Sequence, residues 1–131
     1  MKRITNGDLV KKARSVAKPR KIKHGYAVGE VGCALVTEGG NVHLGVSIDT
    51  CSGMGFCAEH GAIASMLTHG ENRIKRIVAV TKDGTALAPC GRCRELMHQV
   101  HEGNMDAEII VGKGKAIKLR DLLPHPWDEG L

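Results

Sequence analysis

Two short motifs constrain this chain more than any other feature. Cys57-Ala58-Glu59 and Pro89-Cys90-Gly91-Arg92-Cys93 each stand where an apolar pattern of helical period begins. Ala58, Ala62 and Met66 recur at i, i+4 and i+8 after Cys57, and Cys90, Cys93, Leu96, Met97 and Val100 form one stripe after Pro89. Between the motifs lies Arg76 to Thr81, β-branched and too short for a helix, which reads as a strand buried on both faces. Helix, strand, helix in that order implies crossovers between parallel strands.

The same reasoning orders the rest of the chain. A first helix is expected with Asn6 as N-cap and Leu9, Val10, Ala13, Val16 and Ala17 on one face, stopped by Pro19. Val31 to Val36 and Val42 to Ile48 form an antiparallel hairpin across the turn residues Thr37 to Asn41. Ala107 to Val111 is a further strand, Ala116 to Leu119 a short edge strand, and Arg120 to Leu123 a last helical turn. At 131 residues the chain is one domain, residues 1–131. The expected fold is α/β, a mixed five-stranded sheet with helices on both faces.

No apolar run approaches the roughly 18 residues of a membrane span, and Met1-Lys2-Arg3 is not followed by the apolar stretch of a signal peptide. The expected location is the cytoplasm, with no membrane partner. In a reducing compartment five cysteines, an odd number, point to metal rather than to disulfides. Cys90 and Cys93, at i and i+3, share one face of a first helical turn, and helix N-termini favour the thiolates that zinc requires. Parallel, adjacent helices would bring Cys57 in as a third ligand. Three thiolates leave one tetrahedral position open for a water whose pKa falls to about 7. Glu59, two residues beyond a ligand, could take that water's proton; zinc deaminases share this pattern, with His or Cys as first ligand. The competing reading is a closed structural site, Cys57-x2-His60 with Cys90-x2-Cys93, in which Glu59 would be a surface residue.

Composition narrows the partners. The net charge is +5, and Lys11, Lys12, Arg14, Lys18, Arg20, Lys21 and Lys23 follow one another without an acidic residue. Such a run reads either as a solvated face or as a surface for an anionic partner. Aromatic residues make up only 2%, Tyr26, Phe56 and Trp127, which argues against single-stranded nucleic acid as a partner because stacking needs several rings. Cys33 reads as a small buried hydrophobe and Cys51 as a loop thiol. The glycine-rich loop Cys51 to Phe56 lacks the lysine of a phosphate cradle.

With these motifs, and with Val31-Gly32-Cys33-Ala34-Leu35, Gly45 to Asp49 and Arg94-Glu95-Leu96-Met97, nearly the whole chain resembles the cytidine deaminase family in its small three-cysteine form. The resemblance implies a three-layer αβα fold and a homotetramer whose sites are shared between subunits. It implies hydrolysis of a small-molecule substrate, a free cytosine nucleoside, to the 4-oxo product and ammonia, a reaction of pyrimidine salvage. On this chain it assigns Cys57, Cys90 and Cys93 to Zn2+ and the proton transfers to Glu59. It gives the Ala58 N–H to the ring carbonyl O2, and main-chain carbonyls near Ala88 and Cys90 to the amino group.

The chain also departs from the family pattern. Ser47 and Asp49 stand where the family carries ribose-holding Asn and Glu, and Gly29 replaces a pocket Phe. His60 takes the place of an Arg that offsets thiolate charge; Arg92, then His60, are the candidate replacements. Pro-Cys-Gly-Arg-Cys-Arg and the tail Leu122-Leu123-Pro124…Trp127…Glu129-Gly130 resemble blasticidin-S deaminase, leaving another cytosine-bearing compound as the alternative substrate. Trp127 either lines an active site, its own or a neighbour's, or anchors the tail.

Overall fold

The structure, a computed structural model, describes residues 3–131. Its helices are α1 (Asn6–Val16), α2 (Ala58–Thr68), α3 (Gly91–Val100) and the short α4 (Leu119–Leu122). Its strands are β1 (Arg20–Lys21), β2 (Ala27–Thr37), β3 (Val42–Asp49), β4 (Ile74–Thr81), β5 (Ala86–Leu87), β6 (Glu108–Gly112) and β7 (Lys115–Lys118).

The sheet therefore has seven strands rather than five, but the two additions are two residues each. Val28 pairs with Arg20 of β1 on one edge and Ile48 of β3 on the other, so β1 continues the line of β4. The long strands lie in the order β3-β2-β4-β6-β7. β2 is antiparallel to both β3 and β4, and β4 is parallel to β6. Hence β3, β4 and β6 run the same way. Right-handed crossovers advancing in one direction across a sheet put both connecting helices on one face. That brings the starts of α2 and α3 together beyond the carboxyl edge of the strands, where open α/β sheets place their sites.

Alternation along the strands divides the core. Cys33 and Leu35 of β2, Ile77 and Ala79 of β4, and Ile109 of β6 pack with Ala62, Ile63 and Met66 of α2 and Met97 of α3. Ala34 and Val36, Val78 and Val80, and Ile110 face the other way, onto Leu9 and Ala13 of α1. The layers are thus αβα. One helix start differs from expectation: Thr5, not Asn6, caps α1, in a reciprocal capping box with Asp8. The Asn6 side chain instead accepts from the buried Arg76 guanidinium at 2.8 Å.

Candidate active site

Cys57 and Cys90 are the N-caps of α2 and α3, with extended backbones (ψ 157° and 169°) and no capping bond from either thiol. Each sulfur is thereby free to turn toward the other helix. Cys57 Sγ and Cys90 Sγ are 3.4 Å apart and Cys90 Sγ and Cys93 Sγ 3.8 Å, and all three lie within 4.8 Å of one another. A tetrahedral zinc with bonds of about 2.3 Å spaces its sulfurs roughly 3.8 Å apart, so the donor set and its spacing fit Zn2+. Among the described residues this is the one such group, and His60 is not part of it. His60 Nδ1 reaches Cys93 Sγ alone, at 3.5 Å. The closed four-ligand arrangement is therefore not formed.

The metal-free thiols differ in acidity. Burial, then the charge of Glu59, holds Cys93 far above the ordinary thiol value. Burial, then a hydrogen bond with Cys90, raises Cys57. At Cys90 burial acts upward but is outweighed by hydrogen bonds from the Cys93 backbone and from the other two thiols, leaving it below the ordinary value. A divalent cation would relieve the cost of ionising this group, which is the usual coupling between metal binding and thiol deprotonation.

Glu59 lies in the first turn of α2 and is buried rather than on the surface, only 6% exposed. Burial pushes its carboxyl above the ordinary carboxylate value, against the opposing effect of hydrogen bonds to its own backbone and to Cys93. The carboxylate and the thiols Cys57 and Cys90 open onto a cleft of about 440 Å³, which Ser47, Asp49, Ala58, Ala88 and Arg92 also line. Of the site residues singled out in the sequence, Cys93, His60 and Trp127 do not line the cleft: Cys93 is buried behind it, His60 contacts Cys93, and Trp127 is 76% exposed, with its N–H donating to Glu95 at 2.8 Å.

Two details were not foreseen. The Ser47 hydroxyl already accepts the Val31 N–H at 3.0 Å. Phe56 lines the cleft and stacks on His60, with centroids 5.8 Å apart and planes at 16°. Its position next to Cys57 was the available signal, but a lone aromatic in an irregular loop has no periodicity to declare its direction. The absent aromatic at Gly29 has a backbone cause: φ is +78° and a Cβ there would sit 2.4 Å from the Lys18 carbonyl oxygen. Arg92 donates to the Gly55 carbonyl at 3.3 Å, while Cys33 is buried and Cys51 exposed, 3.3 Å from the Tyr26 hydroxyl. The seven cations from Lys11 to Lys23 are all exposed.

An αβα layer structure with three convergent thiols and a buried carboxylate at two helix starts defines a zinc-binding deaminase. The model of the cytidine and deoxycytidylate deaminase zinc-binding region matches residues 5–108, and the chain belongs to that family. A cytidine deaminase of Mycobacterium tuberculosis is 31% identical over 104 residues, 78% of this chain and 75% of the relative. The crystal structure of a cytidine deaminase from the same species superposes with a TM-score of 0.79 at 27% identity, covering 95% of this chain and 97% of that one. That of Burkholderia pseudomallei gives 0.76 at 28% identity, covering 94% and 99%.

Proposed function

We propose that the protein hydrolyses free cytosine nucleosides, cytidine and deoxycytidine, to uridine and deoxyuridine with release of ammonia. The observation that carries this reading is the buried Glu59 carboxylate in the wall of a cleft beside a cluster of three thiols, two of which, Cys57 and Cys90, line the same cleft. Cys57, Cys90 and Cys93 would hold Zn2+, which would supply a Lewis acid there.

The chain's own groups do the rest. Glu59 takes the proton of the attacking water and delivers it to ring N3, then takes the proton of the hydroxyl added at C4 and passes it to the departing amine as the C–N bond breaks; burial suits it to both by raising its proton affinity. Ala58 is the first residue of α2, so its N–H has no partner within the helix and can donate to the ring carbonyl O2. The Cys90 carbonyl already accepts the Arg94 N–H at 3.0 Å, which leaves Ala88 the freer acceptor for the amino group. We assign the offsetting of thiolate charge first to Arg92, a permanent cation in the cleft wall between two of the thiols, and second to His60, whose Nδ1 meets Cys93 but whose ring is held toward the neutral form by burial and then by the Arg92 charge.

Ser47 retains a hydroxyl hydrogen to donate and Asp49 a carboxylate to accept, so both can meet sugar hydroxyls at the cleft mouth. Trp127, outside its own cleft, reaches an active site only in a neighbouring subunit, as a homotetramer with shared sites would allow; exposed Leu44 and Leu67 are apolar surface for such contacts. No helix of the described residues is long and apolar enough to cross a membrane. A cytoplasmic role in pyrimidine salvage suits the reaction. Blasticidin S as substrate is the less favoured alternative, because the relatives found are cytidine deaminases.

The test is ammonia release from cytidine, deoxycytidine, cytosine, blasticidin S and aminopurines by the zinc-loaded protein and its Glu59→Ala variant. The first two are expected to react, and the variant to keep its zinc while losing about 100-fold or more in rate. Undiminished turnover in the variant, or release only from the other compounds, would overturn the reading.

A further inference from the structure

Arg76 is a buried cation without a counter-ion. It alternates in phase with Val78 and Val80 near the start of β4, so its side chain leaves the sheet on the α1 face, away from the cleft at the carboxyl edge. Only 6% of it is exposed. A guanidinium carries five N–H donors and is charged at every physiological pH. Here one donor goes to Asn6 Oδ1 at 2.8 Å and one to the Ile4 carbonyl, both neutral acceptors. Nε is shielded from solvent and has no acceptor. Among the described residues no carboxylate forms an ion pair with the group. A buried charge in that state is costly unless an opposite charge is brought to it.

Space for that opposite charge lies beside it. Arg76 lines a cavity of about 200 Å³ together with two further cations, Arg3 and Lys75, both exposed. The one carboxylate of the lining, Glu38, lies 4.0 Å from the Arg73 guanidinium, so its charge is shared outside the cavity. Three cations against one shared carboxylate make the cavity attract anions. Its size narrows the choice: sites that enclose a whole small-molecule ligand run from roughly 300 to 1,000 Å³, so this one suits a single tetrahedral oxyanion. We propose that the cavity is an anion site in which Arg76, Arg3 and Lys75 hold a phosphate group. That group is either inorganic phosphate or the phosphate end of a larger molecule whose remainder stays outside. The site stands apart from the cleft and does not depend on the deaminase reading.

The test titrates the zinc-loaded protein with inorganic phosphate against chloride at constant ionic strength, and follows Tm and binding by calorimetry. One phosphate is expected to bind saturably with a Kd of about 0.1–1 mM. Tm should rise by roughly 5 °C or more at a hundredfold excess over that Kd. Arg76→Gln should weaken binding by about 100-fold, since it removes the buried charge. The double variant Arg3→Gln with Lys75→Gln changes only exposed positions and keeps the test valid should Arg76→Gln fail to fold; it is expected to bind about tenfold more weakly. Adenosine triphosphate and adenosine distinguish the two sources. Triphosphate binding more than about tenfold tighter than phosphate, weakened by the double variant and absent for adenosine, supports the phosphate end of a larger molecule. Phosphate binding as tightly as the triphosphate supports the free ion.

No saturable phosphate binding below about 10 mM would mean an adventitious ion only, with water alone meeting the Arg76 charge, and would overturn the proposal. So would an affinity and a Tm rise that are equal in the wild type and the double variant, which is the mark of a general salt effect on the fold.

Discussion

Gly61 of α2 rests on Gly45 of β3 with no side chain between them: a Cβ on Gly61 would stand 3.2 Å from the Gly45 Cα. A Cβ on Gly45 would lie 2.3 Å from the Ala62 nitrogen and 2.4 Å from the Ala58 carbonyl oxygen, closer than any backbone tolerates. The helix therefore lies at backbone contact with the strand, and that depth places Cys57 and Glu59 at the cleft floor. Gly45→Ala is expected to lift α2, costing about 1–3 kcal/mol or more. Thermal unfolding should show a lower Tm, and ammonia release should fall even at temperatures where circular dichroism reports a folded protein. An unchanged Tm would show that the contact is not tight.

Removing the metal should separate chemistry from folding. The two core clusters bury Leu9, Leu35, Ile63, Ile77, Met97 and Ile109, none of which is a metal-ligating side chain. Dialysis against a chelator is expected to abolish ammonia release while the far-ultraviolet circular dichroism stays native, and added Zn2+ should restore activity. Loss of the folded spectrum on chelation would mean that the thiol cluster is structural as well.

Asn104, fully buried, ties three elements together. Its Oδ1 accepts the Ile74 N–H at 2.8 Å, and its Nδ2 donates to the carbonyls of Met97 at 2.9 Å and Asn72 at 3.0 Å. Asn104→Ala leaves buried backbone groups at the start of β4 and the end of α3 unpaired, at a cost of about 2–4 kcal/mol. Equilibrium denaturation measures the loss; Asn104→Asp should also destabilise, since a carboxylate cannot donate to Met97 and Asn72.

What could be read from the sequence follows from the range of each interaction. Periodicity and β-branching are local, so the long helices and strands were legible, and with them the meeting of Cys57, Cys90 and Cys93, which parallel crossovers enforce. The cap of α1 was not legible, because Thr5 and Asn6 are both good caps and the choice involves Arg76, 70 residues away, which engages the Asn6 side chain. β1 and β5 are too short to carry a pattern. Phe56 stands in a loop and Asn104 in the short 3-10 helix Glu102–Asp106, both too brief to carry a pattern, and their directions are set by Ile48, His60, Ile74 and Met97 rather than by their neighbours in sequence.

Acid should loosen the hairpin end of the sheet through Glu71. Hydrogen bonds from Thr37, then Asn41, with a smaller contribution from His43, hold its carboxyl below the ordinary carboxylate value. A group whose acidity is increased by folding stabilises the fold above its unfolded pKa, and that contribution disappears as pH falls through the folded pKa. Glu71→Gln removes the charge at every pH. Its Tm is therefore expected to lie below that of the wild type at pH 7. The gap should narrow as the pH drops through the carboxylate range, because the wild type itself then loses the charge. Parallel melting curves at pH 7 and at about pH 3 check this, the lower value lying beneath the ordinary carboxylate range. A Tm difference that is constant with pH would show that the Gln side chain disturbs the turn sterically and that the ionised carboxylate contributes nothing.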